Sequence, residues 1–120
     1  MSLYRMSIIA FAIIIGITLA AGTATALDAD SVAMERKVRG LGTTIGNAYV
    51  CTEEKARKKF EEEAHHLFDL IAQDVGTDLA YIYAIGVGSG SEHSKKKLDC
   101  PKLLKDWAEI RDDYELKGDD

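Results

Sequence analysis

Beyond position 30, apolar side chains recur three and four positions apart, the spacing of one helix face rather than of a strand. A first stripe, Met34, Val38, Leu41, Ile45 and Tyr49, predicts a helix over residues 32–50 with Asp30 or Ser31 as N-cap. A second stripe, Ala56, Phe60, Ala64, Leu67, Ile71 and Val75, predicts the strongest helix, over residues 53–75. Thr52 is its expected N-cap and Gly76 its C-cap, with Glu53 and Glu54 favouring the positive end. Pro101 fits a first helical turn, so Cys100 is the expected cap of a last helix. Leu103, Leu104, Trp107, Ile110 and Tyr114 form its stripe, which runs out near Leu116.

Residues 77–87 read two ways. Ala80, Ala84 and Gly88 lie on one small-residue face if this is a helix, and that is the favoured reading. Alternatively, residues 81–85 form a buried strand, although no partner strand is evident. The glycines of 86–91 resemble a phosphate loop but lack its Lys-Ser/Thr ending, so a flexible connector is expected there. In the first helix, Gly40, Gly42 and Gly46 each cost up to about 1 kcal/mol relative to alanine. Either that helix breaks near Gly40, or Gly42 and Gly46 let another helix approach closely.

The N-terminal pattern is of a different kind. Arg5 precedes an apolar stretch over residues 8–19, and small residues follow, ending Ala24-Thr25-Ala26. That is the layout of a secretory signal peptide over residues 1–26, with cleavage expected after Ala26 and Gly22 as a second candidate. The apolar stretch of residues 8–21 is shorter than the roughly 17–25 residues of a spanning helix, so no stable membrane insertion is expected after cleavage. Residues 27–120 are then a single small domain in the periplasm or outside the cell.

A domain of this size has a modest core and gains from a covalent staple. Cys51 and Cys100 are the only cysteines, and in an oxidising compartment they are most simply one disulfide. The expected fold class is therefore all-α, a small bundle of about four helices with one disulfide.

All 20 acidic residues but only 14 of the 15 basic ones follow position 26, a net charge of −6 there. The basic runs, Lys95-Lys96-Lys97 and Arg57-Lys58-Lys59, are short, and Glu61-Glu62-Glu63 directly follows the second. Nucleic-acid and membrane-surface binding are accordingly not expected.

One cluster carries possible chemistry: Glu61, Glu62, Glu63, His65, His66 and Asp69. Glu61, His65 and Asp69 are spaced i, i+4, i+8 and share a helix side, so His65 with Glu61 or Asp69 is a candidate Zn²⁺, Cu²⁺ or Ni²⁺ site. Glu62 and His65 match the Glu-x-x-His spacing of di-iron bundles, but a second such motif is missing. A solvated polar face accounts for the same residues. His93, between Ser91 and Ser94, is read as surface, and Trp107, Tyr81 and Tyr83 as core. No nucleophile stands beside a base and no Cys-x-x-Cys-His haem motif occurs. An enzyme is not expected, and no cofactor.

Residues 102–113, Lys-Leu-Leu-Lys-Asp-Trp-Ala-Glu-Ile-Arg-Asp-Asp, resemble the charged, Trp-containing C-terminal helix of HdeA-type periplasmic acid-stress chaperones. That family is also small, helical and exported, with two bridged cysteines. The resemblance covers about a tenth of the chain, and Cys100 stands closer to Trp107 than in the family pattern. It implies a homodimer that loosens at low pH and holds unfolding clients on exposed apolar surface. The residues themselves favour a non-enzymatic interaction module, such as an inhibitor, immunity protein or accessory subunit acting on another periplasmic protein. A metal-binding protein is the third expectation.

Overall fold

The computed structural model describes residues 24–117, with side chains from position 30 onward. Of the expected signal segment, residues 1–23 lie outside the described residues, and the expected cleavage point after Ala26 falls in the first turn of a helix. Among the described residues the fold consists of four α-helices and two short 3-10 turns, with no strand. They are α1 (Ala24–Cys51), α2 (Arg57–Asp74), α3 (Thr77–Gly90) and α4 (Cys100–Asp113). The 3-10 turns, Glu54–Ala56 and Lys95–Lys97, precede α2 and α4.

The helix boundaries differ from expectation for local reasons. Thr52 does not cap α2: its hydroxyl donates to the Ala48 carbonyl at 2.8 Å, back into α1. The chain then tightens into the 3-10 turn before α2 starts at Arg57. In α4 the cap is Asp99, not Cys100, and its carboxylate accepts from the Lys102 amide at 3.3 Å. Glu115 adopts a left-handed conformation (φ 57°) after α4. The Leu116 amide there reaches the Arg111 carbonyl at 2.9 Å, and buried Leu116 closes the helix end.

The largest correction concerns residues 86–91. They are no connector: α3 continues to Gly90. α1 also runs unbroken through Gly40, Gly42 and Gly46. Both follow from one contact. A Cβ on Gly42 would collide with the Tyr83 carbonyl oxygen and stand 3.0 Å from the Val87 nitrogen. A Cβ on Gly46 would collide with the Val87 carbonyl oxygen and stand 2.7 Å from the Ser91 nitrogen. Reciprocally, a Cβ on Gly86 would stand 2.5 Å from the Arg39 carbonyl oxygen, and one on Gly90 3.0 Å from the Asn47 nitrogen. Two Gly-x-x-x-Gly pairs thus let the helix backbones touch, the device that small residues provide in closely packed helix pairs. Ala80 belongs to the buried face, but Ala84 and Gly88 are exposed, so the expected small-residue face of α3 is rotated from the observed one.

Residue numbers rise together along this contact, so α1 and α3 are parallel. The same holds for α2 and α4, joined by Phe60 with Trp107 and Glu63 with Arg111. α3 also packs on α2 and α4 on α1, while α1 and α2 meet where Tyr49 reaches Phe60 and Glu61. The four helices thus form one bundle. Ile45, Leu67, Ile71, Ala80, Tyr83 and Trp107 fill its centre.

Tyr83 is buried, and its hydroxyl donates to the Ala64 carbonyl of α2 at 2.8 Å. Burial pushes its phenol well above the ordinary tyrosine range. Above pH ~10 the unfolded chain releases this proton while the folded chain keeps it, so stability falls as pH rises. Thermal melts from neutral pH to about pH 11 should show that loss, and Tyr83→Phe should reduce its slope. An unchanged slope in the variant would assign the loss to other groups.

Candidate functional site

The residues singled out for metal binding lie on the outer side of α2. His65 Nε2 is 3.9 Å from Asp69 Oδ1, and both side chains are largely in solvent. Glu61 is engaged elsewhere: its Oε2 accepts from the Tyr49 hydroxyl at 2.8 Å. That hydrogen bond is the main reason the Tyr49 phenol is raised above its ordinary value. The structure therefore brings His65 and Asp69 together and ties Glu61 to α1. Among the described residues, no group of three or more His, Cys, Asp or Glu side chains is placed to hold a metal ion.

Glu63, read from the sequence as part of a solvated face, is 6 % exposed. Both of its oxygens receive the Arg111 guanidinium, Nε at 2.7 Å and Nη2 at 2.8 Å. The pairing clamps α2 to α4 with the two parallel hydrogen bonds that suit an arginine fork. Glu63→Ala leaves the mostly buried Arg111 unpaired and should cost about 2 kcal/mol, less than a fully buried pair because Arg111 retains solvent contact. The double change Glu63→Met, Arg111→Met should recover most of that in urea melts. If it recovers nothing, the pair contributes more than its own desolvation.

A denser cluster surrounds the disulfide. Cys51 ends α1, Cys100 begins α4, and their Cα atoms are 5.4 Å apart. The bond clamps the end of the first helix, rather than the start of the second, to the start of the fourth. Beneath it Phe60 stacks on Trp107 at 4.2 Å and meets the Tyr49 ring edge-on at 5.5 Å. Arg57 lies over Tyr49, 5.1 Å from the ring centroid. Its Nε donates to the Thr52 carbonyl at 3.2 Å and Nη2 to that of Val50 at 3.5 Å. It thus closes the carbonyl end of α1, where a cation is favoured. His93 is on the surface, and its Nδ1 is 2.7 Å from Asn47 Oδ1, which ties the loop after α3 back to α1.

The remaining feature is the outer face of α3. Tyr81 is 66 % exposed and Ile85 39 %, with Ala84 and Gly88 exposed beside them. At 100° per residue these four occupy an arc of about 100°, opposite the face that Tyr83, Gly86 and Gly90 bury. Tyr81 was expected in the core, whereas α3 turns it outward. An open cleft of about 270 Å³ lined by Arg111, Asp112, Glu115 and Lys117 is charged and spanned by a 2.8 Å ion pair from Lys117 to Asp112. All four lining residues are charged, and the cleft is too open to enclose a small molecule.

No family model matches the chain, and no curated protein or solved structure matches it. No helix among the described residues is long and apolar enough to cross a membrane.

Proposed function

We propose that the chain is exported and acts as a non-enzymatic protein-interaction module whose contact surface is the outer face of α3. One observation carries this reading. Only Asp78 is charged among the 14 residues of α3, yet one side of this helix is open, with Tyr81 and Ile85 exposed. A helix apolar all round belongs in an interior, and the fold itself covers only half of this one. Tyrosine is also a side chain that anchors interfaces well. The partner is an amphipathic helix of another protein. The strip is one helix wide and two turns long, far below the roughly 800 Å² per side of a standard interface, so a second copy laid on it alone would not form a stable dimer. A partner helix crossing at Ala84 and Gly88 can approach closely and add contacts beyond the strip.

A photo-reactive residue replacing Tyr81, with a second placed at Glu109 as control, tests this. The expected result is one adduct, from position 81 only, mapping to an apolar helix face of a single protein. Tyr81→Glu should weaken binding to that purified protein at least tenfold without lowering Tm. Adducts between copies of this chain would assign the strip to a homodimer. Adducts with many unrelated clients at about pH 2–3 would favour the acid-stress chaperone. Either outcome would overturn the single-partner reading.

A further inference from the structure

The disulfide joins two stretches that are far apart in the sequence, and both are basic. Residues 52–59 lead from Cys51 into α2, and residues 91–105 lead through Cys100 into α4. Together they hold nine basic and four acidic side chains, a local charge of +5 in a chain whose net charge is −5. Read separately, the two runs are too short to matter. The 5.4 Å approach of Cys51 to Cys100 gathers them at one end of the bundle.

The chemistry of that end is unusually uniform. Arg57, its only arginine, is turned inward onto the Val50 and Thr52 carbonyls. Lys55, Lys58, Lys59, Lys95, Lys96, Lys97, Lys102 and Lys105 are all exposed. Lys55 lies 3.7 Å from Glu53, and Lys102 bonds Asp106 at 2.8 Å. No ion pair engages Lys58, Lys95, Lys96, Lys97 or Lys105 among the described residues. Pro101 is exposed and Leu104 is 40 % exposed, which places some apolar surface among the lysines. The closest opposing carboxylates on α2 are Glu61, engaged by Tyr49, and Glu62. On α4, Asp106 is engaged by Lys102, Glu109 stands about 14 Å from Cys100, and Asp112 and Asp113 about 18–20 Å, at 1.5 Å per residue. The last two are more than two Debye lengths away at physiological ionic strength, about 8 Å each. A surface meeting this end is screened from much of the acidic body.

Lysine rather than arginine indicates what kind of surface that is. Protein interfaces are depleted in lysine and enriched in arginine, whose planar fork makes directed hydrogen bonds. A set of hydrated, mobile ammonium groups around a little apolar surface suits a plane of phosphate headgroups instead. We propose that the disulfide-bridged end of the bundle docks, end-on and without insertion, on an anionic phospholipid surface. This site is separate from the outer face of α3, and either can fail without the other.

Co-sedimentation of the purified protein with vesicles tests it. Vesicles of phosphatidylcholine with about 30 % phosphatidylglycerol should bind the protein at about 50 mM salt and release it at about 0.5 M. Pure phosphatidylcholine should bind little. Each lysine near an anionic surface contributes about fivefold, so the triple change Lys95→Gln, Lys96→Gln, Lys97→Gln should weaken binding about a hundredfold. Circular dichroism should show that variant folded, since all three side chains are in solvent. Lys37→Gln, on α1 outside the two bridged stretches, should bind like the unaltered protein. Absence of binding to anionic vesicles, equal binding to neutral ones, or a triple variant that binds unchanged would each overturn the proposal. Equal affinity for duplex DNA would overturn it as well, by showing a polyanion site with no preference for a lipid surface.

Discussion

Gly86→Val is expected to destabilise the fold by roughly 3 kcal/mol, at the top of the usual range for overpacking. The first added carbon would already meet the Arg39 carbonyl oxygen at 2.5 Å and the Thr43 nitrogen at 3.0 Å. These are backbone atoms of a helix, so they cannot swing aside as a flexible side chain would. Relief comes only by moving α1 and α3 apart, which also loosens the contacts around Gly42, Gly46 and Gly90. For a domain of this size the loss corresponds to a fall in Tm of roughly 15 °C. Gly40 and Gly88 supply the contrast, because a Cβ on either meets nothing within 4 Å. Gly40→Ala and Gly88→Ala should each stabilise by about 0.5–1 kcal/mol, through helix propensity alone. Thermal melts of the three variants decide the matter. If Gly86→Val melts with Gly88→Ala, the two helices do not touch where the structure places them.

Removing the disulfide should be of similar size. Its two cysteines are 49 positions apart, and closing a loop of that length in the unfolded chain is worth about 4 kcal/mol on the chain-entropy account. Typical domain stabilities are about 5–15 kcal/mol, so Cys51→Ser with Cys100→Ser should leave a folded but thin margin. Guanidinium melts should show the unfolding free energy falling by that amount. A loss below about 1 kcal/mol would mean that Tyr49, Phe60 and Trp107 already hold the ends of α1 and α4 together.

The periodic parts of the sequence foretold the fold well. The stripes from Met34 to Tyr49, from Phe60 to Ile71 and from Leu103 to Tyr114 announce helices because each buries one face, with only Leu104 of the last left exposed. The helix ends were less readable: Asp99 took the capping role expected of Cys100, and Thr52 turned back to the Ala48 carbonyl, leaving α2 without a side-chain cap. Gly86 to Gly90 misled for a deeper reason. Glycine disfavours a helix locally, and only contact with Gly42 and Gly46, some 40 positions earlier, reverses that preference. The spacing of both glycine pairs was visible, but not that they faced each other.

Glu63 escaped notice because three consecutive glutamates look alike in a row. What distinguishes it is its angle: three residues after Phe60 and four before Leu67, it borders the apolar stripe. Tyr81 was misplaced by the same uncertainty in α3, where an all-apolar helix gives no sign of which side faces in. The lysine-rich end was unreadable from either run alone. It exists only once the chain is folded.

Residues 52–99 are enclosed in a covalent ring through Cys51 and Cys100. A single protease cut among the exposed residues 91–97 would therefore sever the backbone without freeing a fragment. Nicked molecules would keep their full mass until a reductant separated the pieces, so a chain clipped in its lysine-rich turn could persist intact in outline.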